Sequence, residues 1–189
     1  MKQLKMIRYK GEYTKRTLPE GYSFSFFVES KEDIAAWCDI CRAANMVKSE
    51  NNEESFDKII RSVKGIEPEK DLFFVVDDTG RRVATSTLIH NKEKNTGYLH
   101  MVAAVPDVRN KGIGHAMLSF AIAMAEERGI EYCILTTDDY RLPAIKNYLV
   151  GGFLPVIYDG LDEEMRTRWS EVAKNLGIEL KEKDFIIEE

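Results

Sequence analysis

The sequence predicts a mixed α/β fold, with a mostly antiparallel central sheet carrying helices on both faces. Two patterns point there. Three consecutive apolar runs, 72–76, 82–90 and 98–105, are separated only by short turns, as in an antiparallel meander. A strand, a long amphipathic segment and another strand then follow, 98–105, 112–128 and 132–137. A connection of that kind calls for a parallel pair with a right-handed crossover.

Length and composition fit this reading. The chain has 189 residues, 44% of them hydrophobic and 31% charged, which suits one globular domain over 1–189. Its core is expected at about 22–158, with a helical and strand elaboration at about 160–189. The net charge of −5 disfavours a nucleic-acid partner, which would call for a basic field. No apolar run reaches the roughly 18 residues that span a bilayer, and the basic start MKQLKMIRYK lacks the apolar stretch of a signal peptide. A cytoplasmic location is expected, with no membrane partner. The three cysteines agree with a reducing compartment. Cys38 and Cys41 form a C-x-x-C, but zinc needs about four ligands, and these two sit mid-helix as small buried residues. No metal is expected.

The elements follow in order. Residues 22–28, YSFSFFV, alternate as a strand. Ser30 caps a helix running to about 44, with Asp33 as an acidic partner. Phe56, Ile59, Ile60 and Val63 recur at helical spacing in a second helix, 53–63. Asp77 to Gly80 and Asn95 to Gly97 supply the meander's turns. In 112–128, Ile113, Met117, Phe120, Ala121 and Met124 form one stripe, and Gly129 stops the helix. A helix at 142–150 tolerates Pro143 in its first turn. Residues 153–158 read as a strand, 162–175 as a helix and 185–187 as a final strand.

The chemistry concentrates at Arg109-Asn110-Lys111-Gly112-Ile113-Gly114. Backbone N–H groups in a helix's first turn have no intrahelical partner and carry partial positive charge. Glycines let them converge on one spot, which suits a phosphate; Arg109 and Lys111 would add charge. The P-loop pattern is absent, and Met117 stands where a dinucleotide fingerprint has its third glycine. A tight turn with surface basic residues is the plainer alternative.

Val102-Ala103-Ala104-Val105-Pro106 followed by Arg109, Gly112 and Gly114 resembles the signature of the Gcn5-related N-acetyltransferases (GNAT), R/Q-x-x-G-x-G/A after the fourth strand. Ala144-Ile145-Lys146-Asn147-Tyr148, then Gly152-Phe153, resembles a second block of that family. The resemblance covers about 22–158 and implies the GNAT fold. It also implies acetyl-CoA as acyl donor and a primary amine on a small molecule or protein as acceptor. A homodimer is an assembly open to such a domain. By the same resemblance Asn110, Lys111, Gly112, Ile113, Gly114 and His115 would bind the pyrophosphate, with Arg109 at the start of the turn. Val102, Ala103 and Ala104 would pair with the pantetheine arm in a gap between the fourth and fifth strands. Tyr148 would act as general acid; a core aromatic bonded to a backbone carbonyl is the alternative.

Two positions depart from the family pattern. Thr136 stands where some members have a glutamate base, which leaves Asp138, Asp139 and His100 as candidates for that role. Arg141 stands where the family often has an asparagine on the CoA arm, and could meet a CoA phosphate instead. Trp37, Trp169, Glu163, Glu164 and Glu171 would shape an acceptor wall suited to a cationic amine, or the carboxylates are only a solvated helix face. A CoA-binding sensor without turnover and a nucleotide-binding domain are the competing functions.

Overall fold

The computed structural model describes residues 2–158 and 160–188. In chain order the strands are β1 (Leu4–Tyr9), β2 (Tyr22–Phe26), β3 (Leu72–Asp77), β4 (Arg82–Asn91), β5 (Thr96–Ala104), β6 (Tyr132–Thr137), β7 (Leu154–Ile157) and β8 (Ile186–Ile187). The helices are α1 (Lys31–Ala43), α2 (Asn52–Phe56), α3 (Pro68–Asp71), α4 (Ile113–Glu127), α5 (Leu142–Val150) and α6 (Asp162–Leu176). They build one 8-stranded sheet in the order β2-β3-β4-β5-β6-β1-β7-β8. Only β5 with β6 and β7 with β8 run parallel. The expected meander and crossover are both present. Among the described residues no helix is long and apolar enough to cross a membrane.

Alternation along β3 assigns the two helical layers. Phe73 meets Phe120 of α4 edge to face at 4.9 Å. Its neighbour Phe74 points the other way, beneath Arg82, which pairs with Asp33 of α1. Helices α1 and α2 therefore cover one face and α4 the other. Trp37, Phe56, Phe27 and Ile60 fill the first layer; Phe73, Ala121 and Met117 line the second.

The N-terminal stretch corrects the sequence reading. Residues read only as a basic start form β1, antiparallel to both β6 and β7. Leu4 and Met6 are fully buried, so the core begins well before residue 22. Lysine and arginine interrupt the apolar alternation, but both are accommodated. Lys5 pairs with Glu188. Arg8, 7% exposed, donates to the carbonyls of Gly151 at 3.1 Å and Gly11 at 2.7 Å.

The second expected helix is not uniform. After α2 the chain widens into a π turn over Asp57–Arg61, where the Ser62 N–H donates to the Asp57 carbonyl, 2.8 Å away and five residues back. Arg61 braces it by pairing with Glu29, Glu53 and Asp57. Such turns often mark functional sites.

Candidate active site

A split in the sheet frames the site. Strands β5 and β6 pair only at Thr96↔Tyr132, Gly97↔Cys133 and Tyr98↔Ile134. Gly97 permits this close join, since a Cβ there would lie 2.7 Å from the Cys133 sulfur. Past Tyr98 the strands part. On the β4 side the register shifts between Thr85 and Thr87, and Met101 adopts a left-handed φ of 53°. The bulge turns β5 aside. A left-handed non-glycine residue costs roughly 1–2 kcal/mol, a strain typical of functional sites. Val102, Ala103 and Ala104 thus present to the split an edge with no strand partner on the β6 side.

The glycine turn lies directly after this edge. Pro106–Val108 makes one 3₁₀ turn, with Val108 buried as its anchor. Asn110 and Gly112 are both left-handed, at φ 62° and 81°. Gly112 caps α4 without a side chain, and no acidic residue occupies the first helical turn. Beyond Gly112 the Ala116 N–H, on the Gly112 carbonyl at 3.1 Å, closes the first turn. The N–H groups of Ile113, Gly114 and His115 precede it and have no intrahelical acceptor. Residues Asn110, Lys111, Gly112, Gly114 and His115 are exposed, while Ile113 is buried and fixes the helix. Asn147 of α5 donates to the Gly114 carbonyl at 2.9 Å, tying the two helices together behind the turn. Arg109 reaches the carbonyls of Ala43 and Ala104 only at 3.4 and 3.5 Å. Lys111 lies 3.5 Å from the Tyr22 hydroxyl. Contacts this long leave both cations available.

Tyr148 is buried on α5, its ring 6.0 Å from that of Phe153. Burial pushes its phenol up to about 12; the neighbouring Tyr98 adds to this and Arg141 opposes it. Arg141, at the start of α5, donates through Nε to Asp138 at 3.1 Å.

The three candidate bases separate clearly. Asp139 holds Arg168 through two bonds, at 2.9 and 2.5 Å, and this guanidinium keeps its carboxyl below the usual range. Asp138 accepts from Gln3 at 2.9 Å and from Arg141, and is lowered likewise. These pairs weaken both aspartates as bases. His100 differs. Its Nε2 lies 3.1 Å from the Ile59 carbonyl in the π turn. A carbonyl can only accept, so Nε2 carries the proton and Nδ1 keeps its lone pair. Burial lowers the imidazole pKa, leaving it neutral near pH 7.

The sequence reading gave Tyr98 no role and took Thr136 only as the residue in place of a glutamate. The Tyr98 hydroxyl meets the Thr136 hydroxyl at 2.7 Å, joining the strands by side chains where their backbones separate. Tyr98 also lies beside His100, ring centroids 6.0 Å apart. The two-residue spacing of these polar rings on one strand was the signal available. Trp37 and Trp169 are fully buried core residues and line no acceptor wall. Glu163 and Glu171 lie exposed on α6, and Glu164 pairs with Arg168 at 3.4 Å. Cys38 and Cys41 are buried, their thiols pushed up by desolvation.

A split sheet beside an uncapped glycine turn defines an acyl-CoA N-acyltransferase type of fold, and comparison with known proteins agrees. The model of the acetyltransferase (GNAT) family matches residues 34–153, and the chain belongs to that family. Among solved structures, a GCN5-related N-acetyltransferase from Sphaerobacter thermophilus is 18% identical, with a TM-score of 0.64 over 80% of this chain and 47% of that one. One from Kribbella flavida is 20% identical, with a TM-score of 0.53 over 81% and 54%. The ribosomal-protein-S18-alanine N-acetyltransferase from Escherichia coli is 20% identical, with a TM-score of 0.55 over 68% and 74%. The chain thus spans about half the length of the first two, and these likenesses establish the fold. No curated protein matches the sequence.

Proposed function

We propose that the chain is an N-acetyltransferase that moves an acetyl group from acetyl-CoA to a primary amine of a small molecule or protein. The observation that most supports this is the placement of an unpartnered strand edge and an uncapped helix N-terminus side by side. The N–H groups of residues 110–115, with Arg109 and Lys111, suit a pyrophosphate. The edge of Val102, Ala103 and Ala104 suits the amides of a pantetheine arm. The bound donor supplies a thioester, whose carbonyl carbon the amine attacks.

Roles for the residues follow from their protonation states. His100 Nδ1 takes a proton from the attacking amine, directly or through one water. A backbone N–H on the open β5 edge faces the developing oxyanion. With its phenol near 12, Tyr148 stays protonated throughout the physiological range and gives its proton to the sulfur as the carbon–sulfur bond breaks. The amine loses one proton and the sulfur gains one, and solvent restores His100 and Tyr148.

Thiol release from acetyl-CoA across a panel of primary amines tests this reading. Tyr148→Phe and His100→Gln should each lower kcat about 10²- to 10⁴-fold with acetyl-CoA affinity unchanged. The engagement of Asp138 and Asp139 by arginines favours one other reading, a CoA-binding sensor. It would show CoA binding and no turnover with any amine.

A further inference from the structure

We infer that Tyr98, tied to Thr136, closes the apex of the β5–β6 split and restricts the donor to short acyl groups, acetyl above all. This rests on the proposed use of the split by an acyl-CoA.

Tyr98 is the last β5 residue paired with β6. Its partner there is Ile134, yet its hydroxyl reaches Thr136, two residues farther along β6. The phenol therefore leans forward over the start of the gap, and the 2.7 Å bond holds it there. No space lies behind it, because the strands close on Gly97 against the Cys133 sulfur. Leu99 and Leu135, the next residues along the two strands, are 4% and 1% exposed and face the opposite side of the sheet.

These positions fix the direction of the acyl chain. A sulfur that takes its proton from Tyr148 must sit beside that hydroxyl. An arm laid from the turn at 110–115 back along Ala104, Ala103 and Val102 runs toward Tyr98, where β5 and β6 join, so whatever the sulfur carries points to the apex, with Tyr98 and His100 on one face. Each added methylene must displace the pinned ring. Discrimination by a tight pocket runs at about 10- to 200-fold per methylene-sized misfit.

The test is the affinity of the full chain for CoA, acetyl-CoA, butyryl-CoA and hexanoyl-CoA by titration calorimetry, which needs no acceptor. The parent should bind CoA and acetyl-CoA comparably and hexanoyl-CoA about 10- to 100-fold more weakly. Tyr98→Ala should bring hexanoyl-CoA to about the acetyl-CoA affinity, since the ring that blocks the chain is gone. Tyr98→Leu, which keeps more of the apolar packing, should move the ratio part of the way and serves if the alanine variant does not fold. Equal affinity of the parent for all the thioesters would overturn the inference while leaving the CoA reading intact. So would an unchanged ratio in a folded Tyr98 variant. Absence of binding by every CoA ligand would overturn both.

Discussion

The N-termini of α1 and α4 pose the same physical problem and receive opposite answers. Each exposes N–H groups without intrahelical partners at the positive end of a helix dipole. At α1 the chain satisfies them itself. Ser30 is extended and its hydroxyl accepts from the Asp33 N–H at 3.1 Å, with Glu32 and Asp33 in the first turn as compensating charge. The Asp33 carboxylate accepts from the Val28 N–H at 2.8 Å and pairs with Arg82, so it locks the approach to the helix and does not close a box with Ser30. At α4 every one of these devices is missing. The cap is Gly112 at φ 81°, the first turn carries no acid, and the flanking side chains, Arg109 and Lys111, add positive charge. One terminus is capped by its own chain; the other has no side-chain cap.

Giving α4 the answer that α1 uses should have the largest effect. Gly112→Asp places a carboxylate where it can cap the helix and repel a phosphate, and aspartate tolerates the left-handed region better than most residues. Acetyl-CoA affinity should fall about 100-fold or more, roughly 2.7 kcal/mol, while the thermal midpoint of the free protein falls by only about 2–8 °C, the cost of a side chain at a left-handed φ of 81°. Calorimetric titration beside thermal unfolding separates the two quantities.

The reciprocal change is smaller and opposite in kind. Ser30→Ala should cost about 1 kcal/mol of stability with acetyl-CoA affinity unchanged, read from denaturant unfolding and the same titration. A loss of CoA affinity there would mean that α1's cap is not purely structural.

A third, smaller effect comes from His100, which the π turn holds through the Ile59 carbonyl. Burial depresses its pKa in the folded chain below the ordinary value of 6.5. The unfolded chain therefore takes up a proton first as pH falls. The stability linked to this group is fully present above pH 6.5 and declines below it. In the proposed role of His100 as base, activity needs the neutral ring, so its acid limb should also lie below pH 6.5, and His100→Gln should remove that stability slope. Unfolding free energies at a series of pH values for both proteins measure the difference.

Much of this was legible before any coordinates. The helix at 112–128, its glycine start, the parallel neighbours and Tyr148 on its helix all follow from local pattern. What stayed hidden depends on register and on distant partners. Strand β1 reads as basic because Lys5 and Arg8 find their partners only in the fold, at Glu188 and the Gly151 carbonyl. The split arises from a one-sided shift in β4–β5 pairing at Met101, and no neighbour in sequence announces it. Asp138 and Asp139 look like candidate bases until Arg141 and Arg168 are seen to hold them. The tryptophans of α1 and α6 fill the core, where size alone could not tell packing from recognition.

The central claim is that the open terminus of α4 and the split beside it receive a CoA thioester. Thermal unfolding with acetyl-CoA, CoA, ATP and NAD in parallel tests it most directly. A ligand at about 100 times its dissociation constant stabilises the fold by roughly 2.7 kcal/mol. The account predicts a clear upward shift of the midpoint with acetyl-CoA and CoA and none with NAD or ATP. An unmoved midpoint with both CoA ligands would contradict it, and Arg109 to Gly114 would then be no more than a turn.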